Sequence, residues 1–181
     1  MKFPSATRLC VLGKVSAAEM LSAVRQIMDS LKLAINDDKT RCLRCPEEAL
    51  EFLGYRIGRN YRPQGGGAYI GTKPSKASVQ SICRKISAQT AAKYGLVSSE
   101  DMVRRLNRML SGWANYYHLG QVNPAYAAVD AHTTKRLRQW LCRKHKVKIG
   151  KYARYPSERL WGHYGLIRLE PMTKGLPWAK T

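Results

Sequence analysis

The side chains best suited to chemistry in this 181-residue chain are basic, because 32 Lys and Arg stand against 12 Asp and Glu. The resulting formal charge of +20 favours polyanions, since a cationic protein releases counterions from phosphates and attracts them over a distance. The composition therefore predicts a nucleic-acid partner. An anionic membrane is the competing partner, but we find no apolar run of bilayer length, no signal peptide and no lipidation motif, so we expect no membrane contact.

Groups typical of catalytic and metal sites are present but form no pattern. Cys42 and Cys45 make a Cys-x-x-Cys pair, yet no second pair of Cys or His follows at the spacing of a zinc site. The four histidines have no acid or nucleophile at helical spacing, so a hydrolase triad is not indicated. We expect no catalytic residue, no bound metal and no cofactor in this chain. Five cysteines without a secretory signal are typical of free thiols in a cytoplasmic protein.

The excess charge lies in the second part of the chain. Residues 1–58 hold 9 Lys and Arg against 7 Asp and Glu, which leaves 23 against 5 for residues 59–181. The first part is predicted to form a strand at residues 9–12, a helix capped by Ser16, a strand that begins at Cys42 and a strand at residues 52–57. A unit this small has exposed sheet edges and little core, so we expect it to dock on another polypeptide.

The second part is predicted to begin with a connector and to continue as helices. Residues 59–74 contain three consecutive glycines, which favour a hairpin or a flexible connector. Residues 75–147 indicate three helices, which begin at a cap at Ser75, near Ser99, and at Asn123 with a proline after it. Residues 148–181 are predicted to form a basic C-terminal tail.

Apolar residues recur at helical spacing in the second and third of these helices. Trp113, Tyr117 and Trp140 lie on the apolar stripes, so we expect them to pack in the core. Tyr116 lies at the edge of the stripe, where it is a candidate for stacking on a base or a sugar.

The side chains that we expect to contact a sugar-phosphate backbone project from one side of this helical bundle. Acids are almost absent there: the second helix has none after Asp101, and the third has only Asp130, for which we expect a structural role beside Arg105. Solvent-exposed helix faces usually carry both acidic and basic residues. Faces that carry almost only basic residues therefore favour phosphate contact. The predicted contact residues are Lys73, Lys76, Arg84, Lys85, Arg104, Arg108, Asn115, Tyr116, Lys135, Arg138, Arg143, Lys144 and Lys146.

Several segments resemble group II intron reverse transcriptases and the maturase domain that follows their polymerase. Residues 33–40 resemble the Leu-x-x-Asn-x-x-Lys-Thr element, and residues 52–55 the Phe-Leu-Gly-Phe/Tyr element, that end the palm of these enzymes. Residues 106–117, Leu-Asn-Arg-Met-Leu-Ser-Gly-Trp-Ala-Asn-Tyr-Tyr, are similar to the tryptophan signature of the maturase domain. Residues 129–132 and 137–141 extend the match.

The resemblance implies an α+β fold, in which a small incomplete palm-like strand-helix-strand-strand unit is followed by a three-helix thumb-like bundle and a basic tail. Residues 1–58 would be the end of the palm, and residues 75–147 the thumb-like maturase domain. The implied function is to bind structured group II intron RNA and assist its splicing without catalysis by this chain. The aspartates that hold Mg²⁺ in the polymerases would align with residues 5–8, Ser-Ala-Thr-Arg, where no acid is present.

Two alternatives remain beside the maturase interpretation. In one, the chain is the C-terminal part of an RNA-directed DNA polymerase whose palm and fingers come from upstream sequence or from a separate polypeptide. It would then also grip an RNA/DNA template-primer, and Mg²⁺ would be held by the aspartates of that palm. In the other, the chain is a truncated or decayed remnant without a cellular role.

Overall fold

The computed structural model of the chain describes residues 11, 13, 16–44, 47–61 and 66–175. Within these ranges the protein is α+β, as predicted, with a three-stranded antiparallel sheet beside its helices. The helices are α1 (Ala17–Ser30), α2 (Lys76–Gln89), α3 (Ser99–Tyr116), α4 (Asn123–Lys144), α5 (Lys151–Arg154) and α6 (Ser157–Gly162), and the strands are β1 (Leu50–Phe52), β2 (Tyr55–Tyr61) and β3 (Ala68–Pro74). Short 3-10 turns occupy Asp37–Lys39, Ala92–Tyr94 and Glu170–Gly175.

The first part of the chain confirms the predicted helix but not the predicted second strand. Helix α1 begins as expected, because Ser16 Oγ accepts a hydrogen bond of 3.2 Å from the Glu19 amide. Residues 41–44 are irregular and β1 begins only at Leu50, so the strand predicted to begin at Cys42 is wrong. Pro46 follows this run and has no backbone N–H to donate to a neighbouring strand, which limits pairing there. The predicted strand at residues 9–12 lies mostly outside the described residues, and residues 5–8 lie wholly outside them.

A hairpin formed by β1 and β2 stands where we predicted one strand. Leu53 and Gly54 both have positive φ, 49° and 80°, as in the two-residue turns whose twist matches paired strands. Phe52 therefore pairs with Tyr55 across the turn. Strand β2 then pairs antiparallel with β3 along its whole length, so a hairpin, one of the two alternatives for the glycine-rich residues 59–74, is present and begins already at Tyr55.

The apolar stripes of α2, α3 and α4 meet in one core. Trp113 and Trp140 are buried in this cluster, and Tyr117 packs against it with its ring centroid 5.0 Å from that of Trp113. The prediction that these aromatic side chains point inward is therefore confirmed. The other large side chains that share the cluster include Ile86 of α2, Leu106 and Leu110 of α3, and Leu137 and Leu141 of α4.

The segment that follows α4 folds back on it and completes the core. Tyr155, Leu160, Leu166 and Leu169 are all buried in the same cluster as the three long helices. The core thus continues past residue 147, into the segment that the sequence led us to regard as a basic tail.

Asp130 of α4 holds the end of this returning segment. Its carboxylate accepts hydrogen bonds from the Leu169 amide at 2.9 and 3.0 Å and from the Glu170 amide at 3.0 Å. Burial raises the pKa of the Asp130 carboxyl, while the two amides and Arg168 act in the opposite direction. Asp130 therefore has the structural role that we predicted, but its partner is this backbone and not Arg105.

The sheet is joined to the helices where α3 ends. Tyr116 Oη donates to the Leu53 carbonyl at 3.1 Å, and the Gln121 amide donates to the Thr72 carbonyl at 2.8 Å. Gly120 permits this approach, because a Cβ built on it would lie 1.9 Å from the Thr72 carbonyl oxygen. The connection between α3 and α4 therefore touches β3 backbone to backbone.

Candidate nucleic-acid interface

The outward side of α4 carries a row of cationic and polar side chains. Lys135, Gln139, Arg143 and Lys146 are exposed, at steps of four, four and three residues that keep them on one side of the helix and its C-terminal end. Between Asp130 and Glu158 the sequence contains no acid that could neutralise this row. One sign of charge therefore extends over about three helical turns.

Helix α2 widens this surface because it lies along α4 beside the row. Arg136 donates to the Ser87 carbonyl and to Thr90 Oγ1, both at 3.0 Å. Arg143 donates to the Thr90 carbonyl at 2.8 Å, and His132 Nε2 lies 2.9 Å from Ser87 Oγ. These contacts fix both guanidinium groups and the imidazole at the seam between the two helices.

A cleft of about 380 Å³ opens in the same seam. It is lined by Gln80, Cys83, Arg84, Ser87 and His132, so Arg84 lies beside the cationic row of α4. We call the combined surface the α2–α4 face; it consists of Arg84, His132, Lys135, Arg136, Gln139, Arg143 and Lys146.

His132 adds little to the charge of the α2–α4 face near neutral pH. Burial lowers the pKa of its imidazole, a hydrogen bond to the Cys83 carbonyl opposes that shift, and the nearby Arg136 and Lys135 lower the pKa again. The imidazole is therefore neutral at pH 7, and the positive charge of the face comes from its Lys and Arg side chains.

A second and larger cleft, of about 530 Å³, lies at the C-terminal end of α4. Four cationic side chains line this α4-end cleft: Arg143, Lys146, Lys148 and Lys151. Gln139, Cys142 and Val147 complete its wall. Lys148 and Lys151, like Arg136 in the seam, were absent from the predicted set. The signal that could have found them is the acid-free run between Asp130 and Glu158, which we used only in part.

The predicted residues of α3 form a separate face. Arg104, Arg108 and Asn115 are exposed on the side of α3 opposite its buried stripe, and Arg104 Nη1 pairs with Asp101 at 3.0 Å. Because α3 and α4 both turn their apolar stripes to one core, their outward sides point in different directions. The structure thus divides the cations that we expected on one side of the bundle between two faces.

Two predicted contact residues of α4 point inward, so the expectation that they face outward is wrong. Arg138 is 7% exposed, and it donates to the Tyr155 carbonyl at 2.7 Å and to Ser157 Oγ at 2.9 Å. Lys144 is half-buried and donates to two carbonyl oxygens of the α2–α3 connection, Gly95 at 3.1 Å and Val97 at 2.8 Å. Both side chains hold neighbouring backbone in place.

The remaining predicted residues lie apart from the α2–α4 face or have partners within the chain. Lys76 and Lys85 are exposed on α2, and Lys73 is half-buried near the end of β3. The ring of Tyr116 is half exposed, but its edge meets Tyr117 at a centroid distance of 4.7 Å and its hydroxyl is bound to the sheet. Tyr116 therefore serves the junction between sheet and helices.

Neither a metal-binding cluster nor a membrane-spanning helix is present in the described part of the chain. No group of three or more His, Cys, Asp or Glu side chains is arranged there to hold a metal ion. No helix within the described ranges combines the length and the apolar character needed to cross a bilayer.

Comparison with known families separates the helical unit from the rest of the chain. The family model described as "Group II intron, maturase-specific domain" matches residues 79–156, which run from the first turn of α2 to the start of the returning segment. Residues 79–156 are therefore similar to a group II intron maturase-specific domain. The maturase-specific domain is the non-catalytic region of its family, and it implies a role in group II intron splicing and binding to intron RNA.

The chain also has a partial sequence likeness to a curated protein of a different description. The chain is 29% identical over 89 residues to an uncharacterized oxidoreductase of Schizosaccharomyces pombe, a match that covers 49% of this chain. The chain spans only about a third (31%) of the length of that protein.

Proposed function

We propose that this chain grips structured group II intron RNA through the α2–α4 face and so helps the RNA hold its splicing-competent fold, while the RNA itself performs the cutting and joining. The observation that carries the proposal is the row of Lys135, Arg143 and Lys146 beside Arg84, with no acid between Asp130 and Glu158. Such a row matches the repeating negative charge of a sugar-phosphate backbone, which supplies most of the sequence-independent affinity for nucleic acid.

The internal contacts of the face support the same proposal. Arg136 and Arg143 are held by the end of α2, so little side-chain freedom is left to lose when phosphate binds. The Arg143 guanidinium donates to these internal acceptors through Nε and Nη2, which leaves the N–H groups of Nη1 for a phosphate oxygen.

The test is a charge reversal with a matched control. In Lys135→Glu/Lys146→Glu two exposed cations of the face become acids, and in the control Lys32→Glu/Arg41→Glu the same change is made at two exposed positions in the segment that follows α1. We expect the first variant to bind a self-splicing group II intron RNA more weakly, with a slope of log K against log salt smaller by about 2, since each lost phosphate contact removes about 0.9. The control should bind like the wild type.

A second pair of substitutions asks whether the α3 face also touches RNA. Arg104→Glu/Arg108→Glu carries the same charge change as the first variant, on the other face. Equal losses of RNA affinity in both variants indicate that the RNA wraps the domain. A loss in Lys135→Glu/Lys146→Glu alone restricts the contact to the α2–α4 face. If neither reversal weakens binding more than the Lys32→Glu/Arg41→Glu control, the proposed grip is wrong.

A polymerase role in combination with another polypeptide is the second candidate, and it is favoured by the apolar surface of the first part. Ile27 and Leu31 of α1 and the following Leu33 are each more than half exposed, and α1 buries no residue completely. Such a surface is suited to covering by a partner that supplies the palm and fingers. Primer extension in Mg²⁺, with and without a polypeptide that carries the palm aspartates, tests this role, because the chain alone should extend no primer.

The likeness to an oxidoreductase adds no third candidate. Dinucleotide-binding enzymes use a glycine-rich turn between a parallel strand and the N-terminus of a helix. Here the glycine-rich stretch connects β2 to β3 in an antiparallel hairpin.

A further inference from the structure

The α4-end cleft contains more than positive charge. The segment that contributes Val147, Lys148 and Lys151 to its lining also carries two of the most exposed apolar side chains of the described chain, Ile149 at 91% and Tyr152 at 69%. Exposed aromatic rings beside cationic side chains are typical of sites for unpaired nucleotides, because a base stacks on the ring while its phosphate meets the cations. A paired helix hides the faces of its bases and offers only its backbone.

One face of the Tyr152 ring packs on the guanidinium of Arg138. The guanidinium of Arg138 lies 4.3 Å from the ring centroid, and Arg138 is fixed in turn by the Tyr155 carbonyl and Ser157 Oγ. The opposite side of the ring remains accessible, as its 69% exposure indicates. A ring that is already oriented loses little freedom when a base stacks on it.

The ring of Tyr152 lies next to the α4-end cleft. Arg138 precedes Cys142, a residue of the cleft wall, by one helical turn, so the ring that covers Arg138 lies at the border of the cleft. Tyr152 also directly follows Lys151, which lines the cleft with Lys148. The nearest acid along the chain after this segment is Glu158.

We infer that the α4-end cleft takes an unpaired nucleotide of the bound RNA, with the phosphate on Lys148 and Lys151 and the base stacked on the exposed side of Tyr152. The inference rests on the proposed RNA-binding function and adds a preference for unpaired over paired RNA at this site. Arg138 acts here as a positioning residue, which orients the ring and does not touch the RNA.

The experiment compares two probes, a single-stranded uridine octanucleotide and a blunt RNA duplex of 16 base pairs, with variants of Tyr152. Tyr152→Ala should weaken binding of the single strand about tenfold, which is the loss of one stacked base, and should leave binding of the duplex within twofold. Tyr152→Phe should bind both probes like the wild type. Tyr152→Leu keeps an apolar cover over Arg138 without an aromatic face, so it should behave like Tyr152→Ala while its melting temperature stays that of the wild type.

A control and two outcomes separate this inference from the proposed function. Tyr61→Ala removes another exposed tyrosine, in β2, and should change neither affinity. If the wild type binds intron RNA but Tyr152→Ala and Tyr152→Leu bind the single strand as well as the wild type, the nucleotide site is refuted and the proposed grip stands. If the wild type binds neither the intron RNA nor the octanucleotide, both are refuted.

Discussion

The contact between Gly120 and Thr72 gives a sharp test of how the sheet is held on the helices. Gly120 has φ of +74°, and a Cβ there would lie 1.9 Å from the Thr72 carbonyl oxygen. In Gly120→Ala the positive φ alone costs about 1–2 kcal/mol. The clash must also push the connection between α3 and α4 away from β3. This movement breaks the 2.8 Å hydrogen bond from the Gln121 amide to the Thr72 carbonyl and costs about 0.5–1.5 kcal/mol more.

We therefore expect Gly120→Ala to lower the free energy of unfolding by roughly 2–3 kcal/mol, which corresponds to a drop of about 4–12 °C in melting temperature for a chain of this size. Two glycines serve as matched controls. Gly150 has φ of +67° but no atom within 4 Å of a built Cβ, so Gly150→Ala isolates the cost of the backbone conformation. Gly112 lies exposed inside α3, also with no atom within 4 Å, so Gly112→Ala should stabilise the protein by about 0.5–1 kcal/mol.

The assay is urea denaturation followed by tryptophan fluorescence, since Trp113 and Trp140 lie in the core that the junction supports. A loss for Gly120→Ala that equals the loss for Gly150→Ala would show that no close contact with Thr72 exists, and the described junction would be wrong. A stability equal to that of the wild type would also exclude the positive φ.

Two further predictions concern side chains of α4. Asp130→Ala leaves the Leu169 and Glu170 amides without their acceptor, so it should cost about 1–3 kcal/mol of unfolding free energy and speed proteolysis after residue 156, while Asp130→Asn, which keeps one acceptor, should lose less. Equal losses for both variants would contradict the hydrogen bonds described. Because burial lowers the pKa of His132, the unfolded chain takes up its proton first as the pH falls below about 6.5, and the free energy of unfolding should decrease there. His132→Gln should flatten this dependence between pH 7.5 and 5.5 in denaturation experiments; an unchanged slope would argue against a buried neutral imidazole.

The parts of the fold that the sequence predicted are those governed by local periodicity. The stripe that contains Trp113 and the stripe that contains Trp140 are long and regular, so helical spacing alone identified which sides are buried. The caps at Ser16 and Ser75 were predicted for the same reason, since a cap depends on residues three positions apart.

The errors concern contacts between residues that are distant in sequence. Arg138 lies at the flank of the apolar stripe, where either orientation agrees with helical spacing, and its burial depends on acceptors 17 and 19 residues later. Lys144 is held by carbonyl groups that lie 47 and 49 residues earlier. Periodicity carries no information about such partners.

In the candidate site, too, residues marked by local sequence features were predicted, and residues placed by contacts with distant segments were missed. Lys135 and Arg143 were predicted because their spacing places them on one side of a helix, and Lys146 because it lies in the basic run that follows that helix. Arg136 was missed because its place in the α2–α4 face depends on where α2 docks. Lys148 and Lys151 were missed because the α4-end cleft forms only when the chain turns back after α4.

The return of residues 155–169 onto α4 has a consequence for biosynthesis. A ribosome delivers α4 before it delivers Leu160, Leu166 and Leu169, so one flank of that helix has no cover while these residues are still inside the exit tunnel. Native packing on that flank is therefore completed late in translation, once these residues have left the tunnel. A recombinant fragment cut at residue 156, where the match to the maturase-specific domain ends, would lack these three leucines and leave that flank open to aggregation.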